Sequence, residues 1–232
     1  MTPQTATGRT TAATGEGVHR PGAEPWADVV AGTLPLPQGR VEFVHPRESM
    51  DLLDERDAGA DDQEYPPYWA ELWPSGVELA YAVAEEVRPG ASVLELGCGL
   101  GLPGIAAALA GGRVLATDRS RDAIAFTREN ARRSGAELAT AQCSWTPGDR
   151  LVDGGPWDLV LGADVLYNRR NVEELLELLP QLVDDRTEVV VADPGRPQAD
   201  EFVTAARSSW ATVEVDDSRT PSVKLLRMRR RR

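Results

Sequence analysis

The chain is short of the side chains on which most catalytic and metal chemistry depends. Its one lysine, Lys224, stands near the C-terminus. No lysine follows a glycine-rich turn to hold a phosphate, and a Schiff-base mechanism has no candidate in the core. Histidine occurs at His19, in a low-complexity stretch, and at His45, both ahead of the regular part of the sequence. A Ser-His-Asp triad or a histidine-rich metal site therefore lacks its material, and no metal is expected. Two cysteines, Cys98 and Cys143, are too few for a zinc site and read as reduced thiols of a cytoplasmic protein. Both fall at strand ends, where small apolar filler is the expected role and catalysis is not. Long apolar runs are missing, so neither a signal peptide nor a membrane span is expected. Positive charge is outweighed. The formal net charge is -12, the opposite of the basic face a nucleic-acid binder carries. An acidic chain suits a cationic ligand or substrate. The basic cluster at the end, Arg227 and Arg229 to Arg232, is expected as a solvated tail.

The 232 residues, 41% of them hydrophobic, are enough for one sizeable core. Residues 1 to 25 are rich in Thr, Ala, Gly and Pro without periodicity and are expected to be disordered. Residues 26 to 75 form an N-terminal extension. It is expected to contain a short hairpin over 33 to 46 around Gln38-Gly39, then an acidic mobile loop over 47 to 66, then an aromatic run. Four of the ten Trp and Tyr residues, Tyr65, Tyr68, Trp69 and Trp73, fall within nine positions.

From 76 to 228 the pattern alternates. Strands are expected at Ser92 to Leu96, Arg113 to Thr117, Leu138 to Cys143, Asp158 to Gly162 and Glu188 to Ala192. Helices are expected at Val77 to Val87, Pro103 to Ala110, Arg121 to Ser134 (stopped by Gly135), Val172 to Val183 and Ala199 to Ser208. Two last strands, about 211 to 216 and 222 to 228, leave no room for a helix between them and read as an antiparallel hairpin. The expected fold is α/β: a doubly wound, Rossmann-like sheet of seven strands, mostly parallel, with helices on both faces. Ligands of such sheets bind at the C-terminal strand ends, near the point where strand order reverses. Residues 229 to 232 are expected as a basic tail.

One turn carries most of the information. Val93-Leu94-Glu95-Leu96 runs into three alternating glycines, Gly97, Gly99 and Gly101, and a helix starts at Pro103. Glycine lets main chain lie against a ligand, and the helix start behind it offers N–H groups and partial positive charge. Two ligands compete for it. Gly99 to Gly104 satisfies the G-x-G-x-x-G of dinucleotide sites, with Asp118 at ribose distance. That match begins late after the strand, however, and a pyrophosphate gains nothing from the nearby Glu95. The other ligand is S-adenosylmethionine. Its methyltransferases carry an acidic residue and then x-G-x-G-x-G directly after the strand. This register begins on time at Gly97 and accounts for Glu95, which suits the cationic amino and sulfonium end. S-adenosylmethionine is the reading adopted, with Cys98 inside the turn among its expected contacts. Asp118, nineteen residues after Gly99, can accept both ribose hydroxyls, and also reads locally as a helix cap. Trp145 either packs on adenine or plugs its loop.

At this point the chain resembles the seven-β-strand protein N-methyltransferases that act mainly on lysine. The resemblance covers roughly residues 65 to 210. It rests on Tyr68-Trp69-Ala70-Glu71-Leu72-Trp73-Pro74, on the glycine turn with Asp118, on Ala163-Asp164-Val165-Leu166-Tyr167 and on Asp193-Pro194-Gly195-Arg196-Pro197. The D-x-x-Y element, Asp164 to Tyr167, is similar to the lysine-type group. The Asp-Pro-Gly-Arg turn is similar to the branch that acts on the electron-transfer flavoprotein beta subunit. The resemblance implies cofactor contacts from Trp73, Gly97, Gly99, Asp118, Trp145 and Ala163, and substrate-side roles for Asp164 and Tyr167. It implies a protein substrate, with a small-molecule acceptor as the alternative. A non-catalytic cofactor-binding module and a nicotinamide dehydrogenase are the more distant readings.

Methyl transfer asks a protein mainly for alignment. It also asks for an uncharged amine, whereas free lysine titrates near 10.4. Asp164 is placed to orient the ammonium and pass its proton toward water. Tyr167 can hydrogen-bond the amine or offer it a ring face. Tyr68, Trp69 and Trp73 can wall the channel. Each has a plainer role: Asp164 as a helix cap, Tyr167 as a core ring, the aromatic run as packing. Arg196 reads as part of a turn that starts a helix, or as a grip on an acidic target surface.

Overall fold

The computed structural model describes residues 28–47, 68–145, 151 and 154–230. The expected tail over 1 to 25, nearly all of the acidic stretch to 66, Tyr65 and the last two arginines lie outside the described residues.

The extension begins with a hairpin of β1 (Val29–Leu36) and β2 (Gly39–Pro46), paired antiparallel from Leu36↔Gly39 outward. It forms a two-stranded sheet of its own. Its apolar face, with Leu34, Val41, Phe43 and Val44, joins one buried cluster with Ile105, Phe126 and Ala131. The seal is completed by Asn130 of the helix beneath. Its amide oxygen accepts the Val44 N–H at 2.8 Å, and its nitrogen donates to the carbonyls of Val44 and of Leu100.

Helix α1 (Pro74–Glu86) starts three residues before the expected Val77, with Pro74 at its first position. Proline is pre-set for that position and its missing N–H is no loss there. The chain then alternates through β3 (Ser92–Leu96), α2 (Leu102–Leu109), β4 (Arg113–Asp118), α3 (Arg121–Ser134) and β5 (Ala139–Gln142). It returns through β6 (Leu159–Ala163), α4 (Arg169–Leu182), β7 (Glu188–Asp193), α5 (Pro197–Ala206), β8 (Trp210–Asp217) and β9 (Lys224–Arg230). Seven strands form one sheet in the order β5-β4-β3-β6-β7-β9-β8. All pairs through β7 are parallel; β9 is antiparallel to β7 and to β8.

The period of two assigns each strand residue to a face. Val93, Val190 and Ala192 lie with Leu79 and Val83 of α1 and Ala107 of α2. Their neighbours Leu94, Leu96, Val189 and Val191 lie in the larger cluster with Leu175 and Leu179 of α4 and Phe202 of α5. Strand order reverses between β3 and β6, so the loops leaving those two strands stand side by side at the carboxyl edge.

The basic tail begins later than expected. Strand β9 runs through Arg230. Arg227 pairs with Glu86, Glu188 and Asp216, and Arg229 with Glu188. These arginines hold the last strands to the sheet and to α1. Among the described residues, no helix is long and apolar enough to cross a membrane.

Candidate functional site

Two sets of residues face each other across the reversal point. The first is the glycine turn leaving β3. Gly97, Gly99 and Gly101 all have positive φ, 66°, 52° and 80°. Side chains at those angles are strained, which is why the alternating glycines are needed. Asp118, at the end of β4 and 6% exposed, holds the turn: one oxygen accepts the Gly99 N–H at 2.9 Å, the other the Ser120 N–H at 2.8 Å. Each oxygen keeps a second lone pair on which a ribose hydroxyl can donate. Burial raises its carboxyl above the ordinary range, against the pull of the Ser120 and Gly99 amides. The helix behind it is capped by Ser120, whose hydroxyl accepts from Ala123 N–H. Asp118 is therefore free of the capping role.

Glu95 alternates onto the α2 face of the sheet. It is 1% exposed, and its Oε2 accepts the Gly104 N–H at 3.0 Å. A Cβ at position 104 would lie 2.3 Å from that oxygen, so the close approach requires glycine. Burial pushes the Glu95 carboxyl up to about 8, the Gly104 hydrogen bond opposing and the charge of Asp118 adding to it. The consequence for ligand choice is direct. A first-turn amide of α2, the kind a pyrophosphate would use, is already bonded to a buried carboxyl. Cys98 packs its sulfur 3.3 Å from the Thr127 hydroxyl oxygen of α3. Burial, then the nearby carboxylates, hold its thiol well above the ordinary range, as befits an inert residue.

Trp145 follows β5 with φ 62°. Its ring lies along the turn, where a Cβ on Gly97 would come 3.6 Å from it. It also packs on the larger core cluster.

The second set leaves β6 and β7. Ala163 closes the β6–β7 ladder opposite Ala192. Asp164 follows with φ 57°, so among the described residues the two non-glycine positive-φ residues, Trp145 and Asp164, both sit at strand ends in this cleft. Strain of this kind concentrates at functional sites. Asp164 is not a helix cap: α4 is capped by Asn168, whose side chain accepts the Asn171 N–H at 2.8 Å. Its side chain is 12% exposed, with Arg196 Nη1 at 2.7 Å from Oδ1. Both oxygens are shut from water, and among the described residues neither accepts a well-aligned hydrogen bond. The buried Ser75 hydroxyl at the start of α1 also lacks an aligned partner. Burial raises the Asp164 carboxyl, and Arg196 and Ser75 pull it back down.

The aromatic run ties the two sets together. Its main chain presses on the glycine turn, with Trp69 O 3.2 Å from where a Gly99 Cβ would be. The Trp69 ring turns inward against Phe126, at 5.4 Å between centroids, so Trp69 belongs to the core rather than to a channel wall. Trp73 donates its Nε1–H to the Tyr68 carbonyl at 2.8 Å. Tyr68 meets Trp73 edge-on at 6.2 Å and Tyr167 at 5.8 Å, and is 44% exposed. The Trp73 ring also stands 5.9 Å from the Arg196 guanidinium. Trp73, Asp164 and Tyr167 are thus brought to one place, as are Gly97, Gly99, Asp118 and Trp145 on the other side. Sequence reasoning missed Ser75 and the two-carboxylate embrace of Arg196. Its signal was present in Asp193-Pro194-Gly195-Arg196, but nothing local tells a turn that starts a helix from one that reaches a neighbouring strand. The embrace also overturns the reading of Arg196 as a grip on a target surface.

A protein-family model described as lysine methyltransferase matches residues 67–208. The electron transfer flavoprotein beta subunit lysine methyltransferase of Danio rerio is 36% identical over 140 residues, 57% of this chain and 52% of that protein. The protein N-lysine methyltransferase METTL21A of Danio rerio is 36% identical over 132 residues, 54% of this chain and 60% of that protein. The chain therefore spans little more than half the length of these curated relatives. Among solved structures, the ribosomal protein L11 methylase of Lactobacillus delbrueckii subsp. bulgaricus aligns with TM-score 0.51 at 25% identity, covering 66% of this chain and 77% of that one. The 16S rRNA N2 G1207 methyltransferase RsmC of T. thermophilus aligns with TM-score 0.65 at 12% identity, covering 88% of this chain and 51% of that one, a likeness of fold alone. With its model matched from the aromatic run to α5, this chain belongs to the lysine methyltransferase family.

Proposed function

We propose that the chain is an S-adenosylmethionine-dependent N-methyltransferase whose acceptor is a lysine side chain of a protein. The observation that carries the reading is Asp164: a carboxylate with both oxygens desolvated, at the C-terminal end of β6 across the reversal point from the glycine turn. A buried carboxylate without full hydrogen bonding is costly unless something cationic completes it. Arg196 does so only in part, because its one guanidinium is shared between the carboxyls of Asp164 and Asp193, and an amino group arriving from outside completes the set. The cofactor, when bound, supplies a methyl already activated by its sulfonium.

The residues have separate tasks. Asp118 takes the ribose, the Gly97–Gly101 turn gives the main-chain surface, and Trp145 and Ala163 border it. Glu95 acts from beneath by holding α2 to the turn, and Cys98 through its packing. Trp73, packed between Tyr68 and Arg196, stands where the two sides meet. Asp164 draws in the ammonium, and Tyr167 orients it as its proton leaves to water. The uncharged amine so formed would lie toward the glycine turn and Asp118, the residues that would hold the cofactor with its methyl facing the acceptor side. Two free buried thiols suit a cytoplasmic setting. The names of the relatives make the electron-transfer flavoprotein beta subunit the first acceptor to try.

The test is incubation of the protein with radiolabelled S-adenosylmethionine and cell lysate, then mass spectrometry of the labelled species. A discrete protein band labelled at lysine is the expected result. Label confined to small molecules would transfer the reaction to a different acceptor class, and no label with intact cofactor binding would leave a binding module.

A further inference from the structure

The Asp193-Pro194-Gly195-Arg196 turn has so far no part in the reaction, although it touches the residue at its centre. Arg196 precedes α5, and its Nη1 stands between two carboxylates, 2.7 Å from Asp164 Oδ1 and 2.9 Å from Asp193 Oδ2. Asp193 is 0% exposed and holds the arginine's backbone as well, its Oδ1 accepting the N–H of Gly195 at 2.8 Å and of Arg196 at 2.7 Å. The far side of the guanidinium faces the Trp73 ring. The arginine is thus held at its backbone N–H, at Nη1 and over the Trp73 ring. Asp164, by contrast, meets Arg196 through Oδ1, with the Ser75 hydroxyl of α1 as the other group that draws on its carboxyl.

We propose that Arg196 is a positioning residue: anchored by Asp193, it grips Asp164 by one carboxylate oxygen and so aims the other at the acceptor amine. The inference rests on the reading of Asp164 as the acceptor-side carboxylate. The charges support it. The groups acting on Asp164 are Arg196 and Asp193 from the β7–α5 turn and Ser75 from α1. Burial favours the neutral acid and the negative Asp193 adds to that. Arg196, its Nη1 2.7 Å from Oδ1, is the first of the groups that oppose that rise. Without it Asp164 holds its proton to higher pH, and a neutral acid does not attract an ammonium. Lysine is a poor replacement, because a single point charge on a flexible stem lacks the planar fork.

The test uses the full chain with 13C-labelled aspartate. The Asp164 carboxyl signal, assigned by its loss in Asp164→Asn, is titrated by NMR in the wild type, Arg196→Gln and Arg196→Lys. Calorimetry of S-adenosylmethionine and the initial rate of methyl incorporation into heat-treated cell lysate accompany it. In Arg196→Gln the Asp164 midpoint should rise, and the acid limb of the transfer–pH profile should move up with it by the same amount. Cofactor affinity should stay within about twofold, since the arginine lies on the acceptor side. Arg196→Lys should show a smaller shift, and carries the test if Arg196→Gln does not fold. An unmoved midpoint, or a moved one with unchanged transfer, overturns the positioning role. Full transfer by Asp164→Asn overturns the reading beneath it, and is told apart because the midpoint shift is measured without any acceptor.

Discussion

The two sides of the cleft hold their carboxylates in opposite ways. On the glycine-turn side, Asp118 and Glu95 bond to backbone amides nearby in sequence or one strand over: Gly99, Ser120 and Gly104. On the acceptor side, Asp164 is held by a side chain from another loop, and that side chain is held by a third carboxylate. The first arrangement fixes a shape. The second leaves a buried carboxyl whose oxygens have no well-aligned hydrogen bond among the described residues. A binding surface for a large common cofactor would suit the former, and a site that draws in an ammonium and lets its proton leave before transfer would suit the latter.

Mutations at the two sides should therefore separate binding from transfer. The largest effect is expected from Asp164→Ala: at least about a hundredfold loss of transfer, with S-adenosylmethionine affinity nearly intact. Single-turnover kinetics beside calorimetry measure the split, and surviving turnover would reduce Asp164 to a structural residue. Glu95→Gln tests the turn side through stability. The folded carboxyl titrates near 8 against an ordinary 4.5, so the folded state holds a proton that the unfolded state has lost between those values. Stability from this group is complete below the lower value and is lost as pH rises through the higher. Glutamine keeps an oxygen for Gly104 and has no proton to lose. It should gain on the wild type by about 2 kcal/mol between pH 6 and pH 8, several degrees in Tm. A difference independent of pH would mean that Glu95 is not the titrating group.

Asp118→Ala should weaken S-adenosylmethionine by about tenfold or more, as loss of a charged two-hydroxyl contact does. Unchanged affinity would remove the ribose assignment. The smallest effect belongs to Tyr167→Phe, which keeps the ring against Tyr68. A loss of transfer of about threefold to tenfold is expected if the hydroxyl orients the amine. No loss at all would leave only the ring's packing.

The same contrast explains what the sequence could disclose. The turn side is local. Its glycines, the acid two residues before them and the acid at the next strand end follow each other in order, and periodicity alone aligns them. Gly135 likewise marks the end of α3 from sequence and acts there as the cap residue, whereas the start is capped by Ser120 and not by Asp118. The acceptor side is assembled by topology. Ser75, Asp164 and Arg196 come from three elements, and only the return of the chain to the far side of β3 brings them together. Local reading could propose a cap for Asp164 because an acid before a helix usually is one. It could not see that Asn168 does that work four residues later.

The hydrogen bonds of Asn130 reach further than their number suggests. One amide group links Val44 of the hairpin to Leu100 inside the glycine turn. The N-terminal extension and the glycine turn are therefore coupled through one side chain, so a change in either is felt by the other. A lineage that exchanged this hairpin for another would have to supply a new partner for the turn at the same time.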